Sequence, residues 1–162
     1  EHRTLQQTIK KKSDLDKYYK VSFVRNPYDR MVSLYTYAKK KKSMYHDVNN
    51  KHKHFDFASK NSFDEFVKAI YYKKLKHDEH SQPQSLYIID NKGKCPCKYL
   101  LRFENINQEI ENKLGLKVHN NIKVNKSSDK DWRLFYKSND TKKMVYSIYK
   151  DDFKNFKYNK NF

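Results

Sequence analysis

Glycine is nearly absent from this chain: only Gly93 and Gly115 occur in 162 residues, alongside three prolines and two cysteines. So few glycines exclude a glycine-rich phosphate loop, where backbone must approach a ligand without an intervening Cβ. The two cysteines, Cys95 and Cys97, are separated by Pro96 alone. Residues two apart rarely meet disulfide geometry, and two thiols do not complete a zinc site, so both read as reduced and structural. No apolar run reaches membrane-spanning length, and no signal-peptide core is present. The chain as given is therefore expected to be soluble. Acidic residues are also in deficit, 19 against 36 Lys and Arg, for a formal net charge of +17.

That charge attracts polyanions: nucleic acid, anionic glycan, nucleotide or an acidic membrane surface. Lys, Asn and Tyr are abundant together, so solvated surface accounts for part of it. Aromatics make up 15% of the chain, 14 Tyr and 10 Phe among them, and a core built from them must rely on ring packing. The length suits one domain, 1–162, and neither an internal repeat nor a domain boundary interrupts it.

Residues 4–17 suit a short surface helix. Val21, Phe23 and Val24 form a compact apolar run ending at Arg25, which reads as a buried strand. Asn26-Pro27 is a helix start, with Asn as cap and Pro at the first helical position, and the helix continues to about Lys40. Residues 43–60 are rich in His, Asn and Lys without periodicity, and are expected to form an exposed loop or insertion. Ser62-Phe-Asp-Glu65 is a capping box before the apolar face Phe66, Val67, Ile70 and Tyr71. Leu86–Ile89 reads as a short strand, and Tyr99–Phe103 as another. Asn107 is expected to cap a helix through Leu114 that Gly115 closes in the left-handed conformation. Residues 117–131 look loop-like, and a final helix is predicted from about Asp140 to Phe153.

The segment YKVSFVRNPYDRMVSLY, Tyr19 to Tyr35, concentrates the chemistry. A strand ending in Arg and running into a helix N-terminus presents backbone N–H groups, a positive dipole end and a guanidinium suited to bidentate phosphate contact. Ser33, two turns into the helix, brings a hydroxyl to an anion resting beside it. The same spacing also permits Arg25 and Arg30 to pair with Asp29 or Glu104, and Ser33 merely to face a neighbour.

FVRNPYDRMVSLY resembles the 3′-phosphate-binding motif of sulfotransferases, R-[DN]-P-x-x-R-x-x-S-x-Y, and is most similar to that of the family 2 carbohydrate sulfotransferases and their bacterial or viral relatives. Other blocks follow suit. His2-Arg3-Thr4 resembles an upstream H-x-T segment, and His80-Ser81-Gln82-Pro83-Gln84 an H-x-x-P-Q segment. Tyr99–Asn105 with Leu114-Gly115-Leu116 resembles a strand, F-E-N, helix and L-G-L block. Asn125-Lys126-Ser127 resembles an N-K-S loop, and Tyr149–Tyr158 a terminal Y-x-x-D-x-x-x-F-x-Y signature. The blocks keep the family's order and cover nearly the whole chain.

The resemblance implies an α/β fold of the P-loop NTPase-like sulfotransferase type, with a parallel central sheet flanked by helices. It implies transfer of the sulfuryl group of PAPS (3′-phosphoadenosine 5′-phosphosulfate) to a hydroxyl of a carbohydrate acceptor, with no metal required. Arg25 and Ser33 carry over as ligands of the 3′-phosphate, and Lys126 as a further candidate for the same nucleotide. A base must take the acceptor proton, and His2 is the candidate, an imidazole being suited to that task near neutral pH. His80 and Gln84 are candidates for the acceptor side or for orienting a loop. Glu104 is expected to support a basic residue near the nucleotide.

The family also carries an upstream strand and loop, P-K-[TA]-x-[GS]-[ST], for the 5′-phosphosulfate. This sequence begins at the H-x-T block, so the fold is expected to be N-terminally truncated and the chain to be a fragment with little activity alone. By the same resemblance, a microbial or viral protein would be cytoplasmic and a full-length eukaryotic one Golgi-membrane-bound through an upstream anchor. Two other classes compete. A non-catalytic basic domain binding nucleic acid or anionic glycan draws on the charge and on aromatics interleaved in YYKK, YTYAKKKK and FKNFKY. A nucleotide kinase lacks both a Walker A sequence and a clear magnesium carboxylate.

Overall fold

Pro27 opens the longest helix because its fixed φ suits a first helical position and its missing N–H costs nothing there. Asn26 caps that end, its Oδ1 accepting the Tyr28 N–H at 2.9 Å. In the computed structural model, which describes residues 4, 7–8, 17–41, 53–118 and 130–162, this helix is α1, Pro27–Lys41. Strand β1, Val21–Val24, feeds directly into it. After α1 come α2 (Lys53–Lys60), α3 (Phe63–Tyr71), α4 (Ser85–Ile88), β2 (Tyr99–Arg102) and α5 (Ile106–Leu114). The chain closes with α6 (Asn139–Ile148) and α7 (Lys150–Asn155), preceded by a 3-10 turn at Trp132–Phe135.

The sheet among the described residues is small. β1 and β2 pair in parallel, Val21 opposite Tyr99 through Val24 opposite Arg102. Helices flank this pair, so the molecule is mixed α/β with a parallel sheet. Side chains alternate across β1: Val24 is buried while Val21 and Phe23 are exposed.

The main core is a ring cluster. Met31, Tyr35 and Ala38 of α1 pack with Phe63, Phe66 and Ile70 of α3 and with Val145, Tyr149 and Phe153 near the C-terminus. Tyr28 sits at one end, with the rings of Tyr136, Phe153 and Phe162 at 5.3, 4.9 and 4.7 Å in edge-on arrangements. Its hydroxyl donates to the Lys160 carbonyl, and the Tyr136 hydroxyl donates to the Tyr28 carbonyl. A smaller cluster of Val24, Ile88 and Phe156 lies under the end of β1.

Local chemistry explains several boundaries. The capping box at α3 forms as its sequence demands: Glu65 N–H donates to Ser62 Oγ, and Ser62 N–H donates to the Glu65 carboxylate. Gly115 closes α5 at φ 67°, its N–H returning to the Glu111 carbonyl at 3.0 Å.

Four expectations are corrected. Residues 53–60 are not loop but α2, with His54 and Ala58 buried one turn apart; a histidine serving as core residue concealed the apolar stripe. Residues 43–52 lie outside the described residues. Leu86–Ile89 is not a strand but lies in and after the short helix α4, because the Asp152 carboxylate accepts the N–H groups of Gln84 and Ser85 and so caps a helical turn. Asn107 is not a cap: α5 begins at Ile106, after a 3-10 turn at Phe103–Asn105. The final helix is broken at Tyr149, where φ −112° and ψ 26° separate α6 from α7. Most of the helix expected over 4–17, and residues 119–129 of the expected loop, lie outside the described residues.

Candidate anion-binding site

Arg25 is the first residue after β1, and its main chain is gripped by a side chain 59 residues away. The Gln84 amide bonds it reciprocally: Arg25 N–H donates to Gln84 Oε1 at 2.9 Å, and Gln84 Nε2 donates to the Arg25 carbonyl at 2.9 Å. Gln84 thus continues the ladder pattern beyond the end of the strand, where backbone would otherwise need water. Gln84 is itself fixed by the fully buried Asp152. That carboxylate accepts from Gln84 N–H at 2.8 Å, Ser85 N–H at 2.7 Å and Ser85 Oγ at 2.6 Å.

The Arg25 guanidinium is oriented as firmly. Its Nε and Nη2 donate to the two carboxylate oxygens of Asp29 at 2.7 and 2.9 Å, a bidentate pair one helical turn long. The Phe103 ring lies beneath it, 4.7 Å from the guanidinium carbon. Two of the five N–H donors of the arginine are engaged this way. The side chain stays one quarter exposed, so the remaining donors border solvent. Ser33 is half-buried and lies one turn beyond Asp29 on the same face of α1.

Glu104 reaches the same corner. Its carboxylate accepts from the Asn26 N–H and, at 3.0 Å, from the Tyr158 hydroxyl. It therefore braces the helix entry rather than a basic side chain. Tyr158 also donates to the Val24 carbonyl at 3.2 Å, and the Arg102 guanidinium stacks 4.5 Å from its ring. Burial first, then the neighbouring Glu104 charge, push the Tyr158 hydroxyl well above the usual tyrosine range.

His80 precedes Gln84 in the same loop. Arg30, the second arginine of the motif, donates through Nη2 to the His80 carbonyl at 2.8 Å and stacks over the Tyr149 ring. It anchors the loop that also carries Gln84. Asp78 organises this loop, with His54 Nδ1 at 3.1 Å and His80 Nδ1 at 3.7 Å from its carboxylate. The same carboxylate accepts the His80 and Ser81 N–H groups. Burial would raise the Asp78 pKa, but the hydrogen bonds from His54 and His80 outweigh it and hold the carboxyl far below its ordinary range. Asp78 in turn raises the His80 pKa against a smaller lowering by burial.

The structure thus joins Arg25 to Gln84 and sets Ser33 one turn beyond Asp29 on α1, while the His80 side chain pairs with Asp78. His2 and Lys126 lie outside the described residues. Asp152 and Tyr149 were legible only as letters of a terminal signature, yet Asp152 carries the loop that carries Arg25. The Tyr149 hydroxyl donates to the Ser81 carbonyl at 3.0 Å, and burial pushes its pKa up to about 12. The local sequence around Asp152, Lys150-Asp151-Asp152-Phe153-Lys154, reads as a charged surface, so its burial is visible only once its donors are in place.

Arg25 is thus fixed at the strand-to-helix junction of a mixed α/β protein, with its side chain still one quarter exposed. Comparison with protein families names the class: residues 1–159 match the sulfotransferase family, and the chain belongs to that family, in its family 2-like branch. No curated protein and no solved structure matches the chain.

Proposed function

We propose that the corner around Arg25 holds the 3′-phosphate of PAPS, and that the protein serves transfer of the sulfuryl group to a carbohydrate hydroxyl. One observation carries the reading: Arg25 is clamped at its main chain by Gln84 and at its guanidinium by Asp29, with its side chain still one quarter exposed. A guanidinium that is already immobile loses little entropy when it binds phosphate. Ser33 adds its hydroxyl from the same helix face, and Lys126 joins as a further cation. In the transfer the acceptor oxygen attacks sulfur, the bond from sulfur to the phosphate oxygen breaks, and the acceptor proton passes to His2. His80 and Gln84 enter differently: Gln84 positions Arg25, and His80 belongs to a loop that faces the acceptor. A base-stacking role for the aromatics has little support, because Tyr35, Phe153 and Phe156 are buried and only Tyr71 and Tyr72 of the quoted clusters are exposed.

Calorimetric titration with adenosine 3′,5′-bisphosphate tests the reading. Binding is expected, with adenosine 5′-monophosphate far weaker. A hydrogen bond to a charged group is worth about 1.5–3 kcal/mol, so Arg25→Ala is expected to weaken the bisphosphate about tenfold to a hundredfold. Gln84→Ala is expected to weaken it less. Unchanged affinity in Arg25→Ala, or equal affinity for the monophosphate, sinks the proposal.

A further inference from the structure

Cys95 and Cys97 stand on either side of Pro96 in the stretch that joins α4 to β2. The main chain is pinned before and after them. Asp90 Oδ1 accepts the N–H groups of Lys92 and Lys94 at 2.9 and 2.8 Å, and the Asp90 N–H donates to the Lys94 carbonyl at 2.8 Å. Beyond the pair, the Lys98 N–H donates to the Lys20 carbonyl at 2.8 Å, one residue ahead of the paired strands. Pro96 fixes one of the few torsions left between these anchors. Two thiols are thereby carried on a short, tethered turn.

The two side chains differ in setting and meet at sulfur. Cys95 is exposed, whereas Cys97 is half-buried against the cluster of Val24, Ile88 and Phe156. The Cys97 thiol meets the Cys95 sulfur both as a charge and as a hydrogen-bond partner, so the two are direct neighbours. The pair offers soft donors, one open to solvent and one backed by hydrocarbon. Among the described residues no group of three or more Cys, His, Asp or Glu side chains forms a metal-binding cluster. Two sulfurs alone select the ion. Zinc requires four ligands in a tetrahedron, and calcium and magnesium require oxygens. Monovalent copper, Cu(I), favours thiolates and accepts two of them. The charge agrees as well. Two thiolates around a monovalent ion leave one net negative charge; Lys94 and Lys98 flank the pair in sequence, and the Lys20 ammonium lies within charge range of Cys97.

We propose that Cys95 and Cys97 together bind one Cu(I) ion between their sulfurs. Two S–H groups release their protons, two S–Cu bonds form, and no electron changes hands. The site is separate from the Arg25 corner and does not depend on the reading of that corner. Because the ligands are two residues apart, the unfolded chain also keeps them near each other. The fold contributes the tethered turn and the apolar backing of Cys97, so the folded chain holds the ion more tightly than the unfolded one.

The experiment titrates the full chain, reduced and kept free of oxygen, with Cu(I) in the presence of bicinchoninate, whose coloured copper complex reports the ion left over. The chain is expected to withdraw one Cu(I) per copy and to elute from a sizing column unchanged. Cys95→Ser replaces an exposed side chain and leaves the packing of Cys97 intact. It is expected to weaken Cu(I) binding about a hundredfold, as is Cys97→Ser. In urea beyond the unfolding midpoint the wild-type chain is expected to lose the ion to bicinchoninate. Zn(II) titrated alone against a zinc-sensitive dye is expected to stay with the dye. The proposal is overturned if the folded chain takes no Cu(I) from bicinchoninate, or if Cys95→Ser binds it as well as wild type. Equal affinity in the unfolded chain would reduce the pair to a property of the local sequence and overturn the site. Copper that bridges two copies, or tight Zn(II) binding, would likewise overturn a two-sulfur site within one chain.

Discussion

On the face of α1 that carries Met31, Tyr35 and Ala38, apolar side chains and rings pack against one another; around the strand end at Arg25, side chains reach across the sequence to main-chain atoms. The first region tolerates repacking, because dispersion and burial are shared among many contacts of no fixed direction. The second is directional. Gln84 reads both main-chain groups of Arg25, Asp152 reads the N–H groups of Gln84 and Ser85, and Tyr158 reads the carbonyl of Val24. Apolar burial is therefore concentrated in one region and directional hydrogen bonding in the other. A phosphate ligand requires donors held to a fraction of an ångström, which an aromatic cluster does not by itself supply.

The largest expected effect comes from the ring core. Phe66→Ala removes a fully buried ring and is expected to cost about 3–5 kcal/mol in urea unfolding. The fraction that stays folded is expected to bind adenosine 3′,5′-bisphosphate with wild-type affinity; a parallel loss of affinity would erase the distinction between the regions. Asp152→Ala is next, at about 3 kcal/mol, since it strands the buried donors of Gln84 and Ser85. Here affinity is expected to fall along with stability, because Arg25 loses its support through Gln84. Unchanged affinity in that variant would show the network to be scaffold alone.

The smallest effect is one of pH. His80 is raised above the ordinary histidine value by Asp78, so its contribution is fully present below about pH 6.5. It disappears as pH rises through the folded-state value. Asp78 is depressed, so its contribution is present above about pH 3.9 and fades as the pH falls below that. Urea midpoints measured on either side of neutrality are expected to decline with rising pH in wild type and to decline less in His80→Gln. An equal slope in both would remove His80 from the account.

Much of the architecture was readable in the residues. The Ser62–Glu65 capping box, the Asn26-Pro27 helix start and the Gly115 closure were legible because each depends on neighbours within one turn. The motif around Arg25, with the blocks that follow it, was likewise legible as that of a sulfotransferase-family chain. The places where local reading failed share one cause. Leu86–Ile89 has the apolar run of a strand, yet Asp152 makes α4 helical by capping it from across the fold. His54 is polar by type, yet Asp78 gives it a buried partner and lets α2 form where loop composition stood. Tyr149 continues a helical pattern, yet its hydroxyl is held by the Ser81 carbonyl where α6 ends.

The sequence by itself determined the locally capped helix ends at Asn26-Pro27, Ser62 and Gly115 and the basic field. Only the tertiary structure decided that the main chain of Arg25 is held by Gln84, that its spacing-permitted pairing with Asp29 forms, that Arg30 is an anchor for the His80 loop, and that lysines from two separate segments line one cavity. The physical reason is range. The Asn26, Ser62 and Gly115 caps are set by bonds within one turn of chain, whereas Gln84 on Arg25 and Asp152 on α4 act from 59 and 67 residues away, a separation that carries no signal of their distance in space.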